Sequence, residues 1–370
     1  MARKLKPDKL LFLATLALLS ASVIMVYSAS AQIALDRYER PYHFALRQCA
    51  WAVLGLGLLW AVMRIDYYRF KEPGVLWATV GVTTLALVAV LFSEPINGAR
   101  RWFGIAGFGV QPSELAKIAL IMFTAAQLER AEFERRMEAV DVLYALLPIG
   151  AMTIGVTGLI YLQPDLSTAV VAGGVVAAMV CATGLRYRHV VGTALVLAPV
   201  LLAALASKPY RVTRLLAFLD PWANRQDGAY QVIQSQIAVG TGGLSGRGLM
   251  QGVQKLYFLP EPHTDFIYAV IAEETGLLGA TVVLLCFAVI TWRGLRVASH
   301  APDRFGAFLA IGLTTMVAMQ ALLNISVVLG LTPTTGIPLP FVSAGGSSLL
   351  IALVGMGILL NVSQHAALRH

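Results

Sequence analysis

Hydrophobic residues in this chain gather into runs of about 20, the length at which a helix crosses roughly 30 Å of hydrocarbon. Ten such runs lie at about 10–30, 44–63, 74–93, 113–128, 142–162, 166–185, 189–206, 266–292, 305–330 and 347–364. Each is predicted to be a helix, because an open strand leaves its backbone unsatisfied in lipid. The polar stretches between them are short except for 207–265, a large loop between the seventh and eighth runs. Within it, "YRVTRLLAFL" places Val212, Leu215, Leu216 and Leu219 on one helical face with Arg211 and Arg214 beside it, the pattern of a helix lying in the headgroup plane. "QVIQSQIAVG" predicts a second short helix, and "DPWANRQDG" between the two is turn-rich. "GTGGLSGRG" has too many glycines for regular structure and lacks the G-K-[ST] ending of a phosphate-cradling P-loop, so a mobile loop is expected there. No internal repeat, low-complexity tract or second soluble domain is visible, and residues 1–370 read as one transmembrane domain.

Composition sharpens this into a class. Of 370 residues, 58% are hydrophobic and 13% charged, about half the charge of a soluble protein. The fold expected is an all-α polytopic membrane protein. The formal charge of +8 is accounted for by Lys and Arg in short cytoplasmic loops rather than by affinity for nucleic acid. With the N-terminus inside, the cytoplasmic segments carry sixteen Lys and Arg and the short outer loops four, Arg37, Arg40, Arg100 and Arg101. Both termini are therefore expected in the cytoplasm, with loops 94–112, 207–265 and 331–346 outside. "RKLKPDK" before the first run imitates a cleavable signal, but Leu10 to Val26 is longer than a signal's apolar region, so a retained first span is expected. Cys49, Cys181 and Cys286 all fall inside apolar runs and suggest small hydrophobes with no disulfide framework.

Charged groups at membrane depth carry the candidate chemistry. Glu114 and Lys117 in "QPSELAK" are neighbours on one helix face, either a self-satisfied ion pair or the lining of an outward cavity with Lys117 turned to an anion. Arg100 and Arg101 beside Trp102 either anchor the span to headgroups or make forked contacts to phosphate. Asp165 follows Pro164 at the start of the sixth run, where it is expected to cap free N–H groups. Glu273 and Glu274 are expected to contact neighbouring helices; nine residues of helix turn Glu274 to the face opposite Asp265, so the two do not form one acid–base pair. No metalloprotease, paired-cysteine or nucleophile-elbow motif is present, and His263 has no second ligand nearby in sequence. Asp265, in "LPEPHTDF", is the most informative carboxylate. It reads equally as a helix N-cap or as a base at the lipid–water boundary, the second requiring an apolar pocket that offsets the helix dipole.

"GARRWFGIAGFGVQPSELAK", "QPDLST", "LPEPHTDFIYAVIAEETGLLG" and "TTGIPLPFVSAGGSSLL" together resemble the SEDS family of bacterial cell-wall polymerases, typified by RodA and FtsW. The resemblance spans nearly the whole chain. "VYSAS", "YRVTRLLAFLDPW" and "QKLYFLPEPHTDF" look closer to the division-type FtsW branch. It implies that Asp265 is the family's essential aspartate and that Arg101, Glu114 and Lys117 belong to its polar cavity. Gln111, Lys255, His263 and Ser343, in the same matching stretches, complete the expected substrate contacts. Ala344 departs from the pattern, standing where the family commonly has tyrosine, so no contact of that phenol carries over.

The implied activity is inverting glycosyl transfer: polymerisation of lipid II, a disaccharide–peptide on a polyprenyl diphosphate, into glycan strands at the outer face of the bacterial inner membrane. A lipid diphosphate is already a good leaving group, so one base with cationic stabilisation suffices where a glycosidase needs two carboxylates. That counter-charge is arginine, lysine, or a divalent cation such as magnesium or manganese; no other cofactor is implied. The expected partner is a class B penicillin-binding protein, a single-span transpeptidase. The rival readings are a lipid II flippase, for which a central site and inverted repeats are expected, and a non-catalytic scaffold of a wall-synthesis complex, which leaves the membrane carboxylates without a role.

Overall fold

A computed structural model describes residues 6–95, 99–105, 108–131, 139–184, 192, 199, 202–222 and 229–366. Its helices are α1 (Lys9–Tyr38), α2 (His43–Arg64), α3 (Pro73–Val90), α4 (Pro112–Arg130), α5 (Ala139–Leu162), α6 (Leu166–Cys181), α7 (Pro209–Leu219), α8 (Ala229–Gly242), α9 (Ile267–Ser299), α10 (Arg304–Val328) and α11 (Gly346–His365). Nine of the ten expected runs coincide with α1–α6 and α9–α11, while most of the seventh, 189–206, lies outside the described residues. So does 223–228 of the turn-rich stretch. Among the described residues six helices, α1, α2, α3, α9, α10 and α11, are long and apolar enough to cross a membrane. This is a multi-pass membrane protein. Loop 94–112 holds what the sequence did not announce, an antiparallel hairpin of β1 (Phe103–Ile105) and β2 (Phe108–Val110) with Phe103 opposite Val110.

The bundle is apolar outside as well as in, as lipid requires: Val53, Leu85 and Leu278 are exposed, and exposed Cys181 joins them at the end of α6. Close approach between helices comes from small residues. A Cβ on Gly357 of α11 would stand 2.8 Å from the Leu59 carbonyl of α2, and one on Gly55 2.4 Å from Leu353 Cδ1. One end of the bundle is tied by Asp8, which caps α1 by accepting from Leu11 N (3.0 Å), pairs with Arg293 of α9, and donates its own N–H to Ser363 Oγ of α11 (3.1 Å). Tyr67 joins the same end, its hydroxyl on Asp303 and its N–H on Asn361 Oδ1.

Helix α9 is not continuous. Gly276 takes φ 68°, ψ −166°, a conformation open to glycine, and splits a buried half-helix, Ile267–Thr275, from the longer segment beyond. The freed backbone groups find partners in the chain just after α8: Arg247 N donates to the Glu273 carbonyl (3.0 Å), Gly248 N to the Glu274 carbonyl (3.0 Å), and Leu277 N to the Gly243 carbonyl (2.9 Å). This is how irregular backbone is tolerated at membrane depth. Two glycines of "GTGGLSGRG" therefore serve close approach, not mobility: a Cβ on Gly242 would lie 1.9 Å from the Ala272 carbonyl oxygen, and one on Gly246 2.1 Å from the Glu274 carbonyl oxygen. The expected mobile loop is a pinned insert, because its N–H groups satisfy a broken helix.

Candidate active site

Asp265 sits two residues before α9. The N-cap of that helix is Phe266, which makes no side-chain cap bond, so the capping role considered for Asp265 is not the one the structure gives it. Its segment is instead fixed through main-chain carbonyls. Asn324 of α10 donates Nδ2 to the Asp265 carbonyl (2.8 Å), Ser343 Oγ donates to the Thr264 carbonyl (2.6 Å), and Ala344 N donates to the His263 carbonyl (2.9 Å). The partly exposed Asp265 side chain lines a cavity of about 70 Å³ with Arg214, Gln231, Asn324, Thr335 and Gly336. That is room for a few waters or the edge of a sugar ring. Burial, and then the charge of Glu261, lifts the Asp265 carboxyl to about 6, while Arg214 and Arg101 pull it down and Asp165 adds a further upward push.

The remaining candidates fall into two groups. Arg101 and Gln111 belong to the network around this end of the bundle. Arg101 Nε donates to the Gln163 carbonyl (3.0 Å) and its guanidinium also meets the Pro164 carbonyl, which ties the hairpin to the turn before α6. Gln111 Nε2 donates to Asp165 (3.1 Å) and its N–H to Ser347 Oγ (3.3 Å). Asp165 is the expected N-cap of α6, accepting from Thr168 N (3.2 Å) and Thr168 Oγ1 (2.9 Å).

The second group is engaged inside the protein. Lys117 and Glu114 form a buried ion pair at 2.9 Å, the self-satisfied alternative. Lys255 is paired with Glu274 and donates to Ser28 Oγ of α1 (2.8 Å), a cluster separate from the Asp265 cavity. Glu273 accepts from Val253 N (2.8 Å) and faces Arg247, so it holds the pinned insert and not a neighbouring helix. Ser343 gives its hydroxyl to Thr264 and receives Leu339 N (2.8 Å). His263 packs against Phe44 (centroids 4.8 Å) with Nδ1 buried and unpartnered; burial depresses its imidazole, Glu261 raising it and Arg37 lowering it. Ala344 packs against the core beside it.

Arg214, Gln231 and Asn324 were missed as site residues. Arg214 appeared only as the flank of an amphipathic helix, and the signal at Asn324 was an amide in an apolar run, shared with Gln320 one turn earlier.

Fold and site define a helical membrane protein with a desolvated carboxylate and arginines gathered at one end of its bundle. The chain belongs to the FtsW/RodA/SpoVE family, whose model, described as cell cycle protein, matches residues 8–368. It is 40% identical to the stage V sporulation protein E of Bacillus subtilis, over 98% of this chain and 99% of that one. It is 41% identical to the probable peptidoglycan glycosyltransferase FtsW of Geobacter metallireducens, covering 96% and 94%. Among solved structures it resembles a chain from work on the structural coordination of polymerization and crosslinking by a peptidoglycan synthase complex, with TM-score 0.79, 30% identity and 96% and 97% of the two chains covered. It also resembles the rod shape determining protein RodA of Thermus thermophilus, with TM-score 0.70, 28% identity and 98% of each chain covered.

Proposed function

We propose that this chain is an inverting peptidoglycan glycosyltransferase that polymerises lipid II at the outer face of the bacterial inner membrane. The observation that carries this is the Asp265 carboxyl, held by its backbone, facing a small cavity, and raised to about 6, where a general base both ionises and retains driving force near neutrality. Asp265 takes the proton of the acceptor's 4-hydroxyl. That oxygen forms its bond to the donor's anomeric carbon from the face opposite the diphosphate, and the anomeric C–O bond breaks. The electron pair leaves with the lipid diphosphate, and the configuration inverts.

Arg214 and Arg101, whose charges reach Asp265, are the nearest counter-charges for that leaving group. Gln111 completes the substrate-facing set, while Glu114, Lys117, Lys255, Ser343 and the buried His263 act by holding the frame. Among the described residues no three His, Cys, Asp or Glu converge as metal ligands. A divalent ion at the diphosphate would take most of its ligands from phosphate oxygens and water, with one or two carboxylates of the chain completing them.

The remaining assignments belong to the same proposal. They are ten spans in one transmembrane domain, cytoplasmic termini, an extracytoplasmic 207–265 loop, and a class B penicillin-binding protein as partner. The test is Asp265→Asn in purified protein supplied with labelled lipid II. Because Asp265 caps no helix, asparagine should leave folding intact, and loss of a positioned base should cost at least about 100-fold in glycan formation. Robust polymerisation by the variant ends the case for Asp265 as the base; no glycan from the wild type under any condition ends the enzyme reading in favour of a flippase or scaffold.

A further inference from the structure

Segment 334–337 runs along the Asp265 cavity and is pinned at three carbonyls. Arg214 Nη1 donates to that of Thr334 (3.4 Å), Ser167 Oγ to that of Thr335 (2.6 Å) and Asn324 Nδ2 to that of Ile337 (2.8 Å). Asn324 Nδ2 also holds the Asp265 carbonyl (2.8 Å), so this segment and the one bearing the carboxylate keep a fixed spacing. Within it Gly336 takes φ 68°, the left-handed region.

Beyond its chain neighbours, a Cβ built on Gly336 has one atom of the described residues within 4 Å: Oδ2 of Asp265, at 3.5 Å. That is van der Waals contact, so a methyl there closes one flank of the carboxylate. The conformation alone does not demand glycine, because asparagine also enters the left-handed region. What the bare Cα adds is open space beside Oδ2.

Of the residues lining the cavity, only Arg214 and Gly336 are exposed. The cavity therefore meets the outside between a guanidinium and a bare backbone. These two sides suit different halves of one reaction. A guanidinium pairs with diphosphate oxygens, whereas a glycine Cα leaves room for the uncharged face of a sugar ring. Inversion needs nucleophile and leaving group on opposite faces of the anomeric carbon, which is met when they enter from opposite sides of this mouth.

We propose that Gly336 forms the acceptor side of the site: the acceptor sugar packs over its bare Cα and brings the attacking hydroxyl to Asp265 Oδ2, opposite the diphosphate on Arg214. The proposal rests on the glycosyltransferase reading and deepens it by giving donor and acceptor separate sides.

The test sets two substitutions against each other in purified protein, with kcat/KM for lipid II measured per folded molecule and the thermal midpoint alongside. Gly336→Ala adds a methyl against Oδ2 in a strained backbone. Gly336→Asn relieves the strain, since asparagine tolerates the left-handed region, but fills more space. Stability should therefore fall more for alanine than for asparagine. Activity should not follow that order. A misplaced reactant costs on the order of 100-fold, so both variants should lose about that much kcat/KM, asparagine no less than alanine. If alanine prevents folding, asparagine decides alone. Near wild-type turnover in any folded variant overturns the proposal. An asparagine rate above the alanine rate also overturns it, because glycine would then be there for its backbone. No glycan from the wild type sinks the glycosyltransferase reading and this proposal together, whereas an active wild type with unaffected variants sinks the proposal alone.

Discussion

Asp265 owes its reactivity to opposed influences of comparable reach. Burial and Glu261 favour its neutral form; Arg214 on α7 and Arg101 near the hairpin favour its anion, with Asp165 at the cap of α6 opposing them. A base works only when ionised, so the rate should rise with pH through about 6. The same shift has the reverse sign for stability: the fold favours the neutral acid, so this group's contribution worsens as pH climbs from its ordinary 3.8 through about 6. Arg214→Gln should move the acid limb of the kcat/KM profile to higher pH, and Glu261→Gln should move it lower. Profiles that coincide with the wild type would mean these charges do not reach the base. The sequence showed Asp265 as a charge at a hydrophobic boundary but left cap and base open. What separates them is where α9 starts, and Asn324, Ser343 and Ala344 fix the preceding segment from 59 to 81 positions away. Arg214 was hidden for the same reason, since its neighbours in the cavity come from four other parts of the chain.

At the scale of elements, the interruption of α9 controls the half-helix that follows Asp265. The expected run 266–292 matched in position, and its helical character was legible from length and apolarity. The break was not, because one glycine in an apolar run is ambiguous until the chain that fills the gap is known. Gly246→Ala and Gly276→Ala place a Cβ against backbone, 2.1 Å and 2.3 Å from the nearest atoms, at positive φ. Each should lower stability by at least about 1–3 kcal/mol, read as a fall in thermal midpoint in detergent. Lys255 and Glu274 support the same junction and are nearly inaccessible. Glu274→Leu leaves a buried ammonium unpaired and should cost about 3–5 kcal/mol, whereas the double variant with Lys255→Met should recover part of that loss. Equal stability for single and double variants would deny the pair its supporting role.

The whole molecule is arranged by depth. Asp8, Arg293, Tyr67, Asp303 and Asn361 tie one end, and the hairpin, the Asp165 turn, Asp265 and the 334–347 loop gather at the other. The loop charges assign the first end to the cytoplasm, where Lys and Arg of short loops are retained. Exposed Arg69 and Asp220 stand on opposite sides in that scheme. Single cysteines there, in a cysteine-free background, should react with an impermeant maleimide from opposite faces of intact inner membrane, and labelling from one face only would invert or break the assignment. With the proposed orientation, a site at the outer end would release its glycan into the compartment where crosslinking takes place, so polymerisation and crosslinking would gain from being held together. The structural relative from a peptidoglycan synthase complex points the same way. The outer walls of this bundle, with Val53, Leu85 and Leu278 exposed, offer lipid-facing surface against which a single transmembrane helix can pack. Co-expression with a class B penicillin-binding protein should therefore yield a complex that survives purification and makes more glycan from lipid II than this chain alone. Removing the partner's transmembrane helix should abolish both effects, because the docking expected here is within the membrane. A chain fully active by itself, and unable to retain any such transpeptidase, would leave crosslinking to an enzyme it never meets.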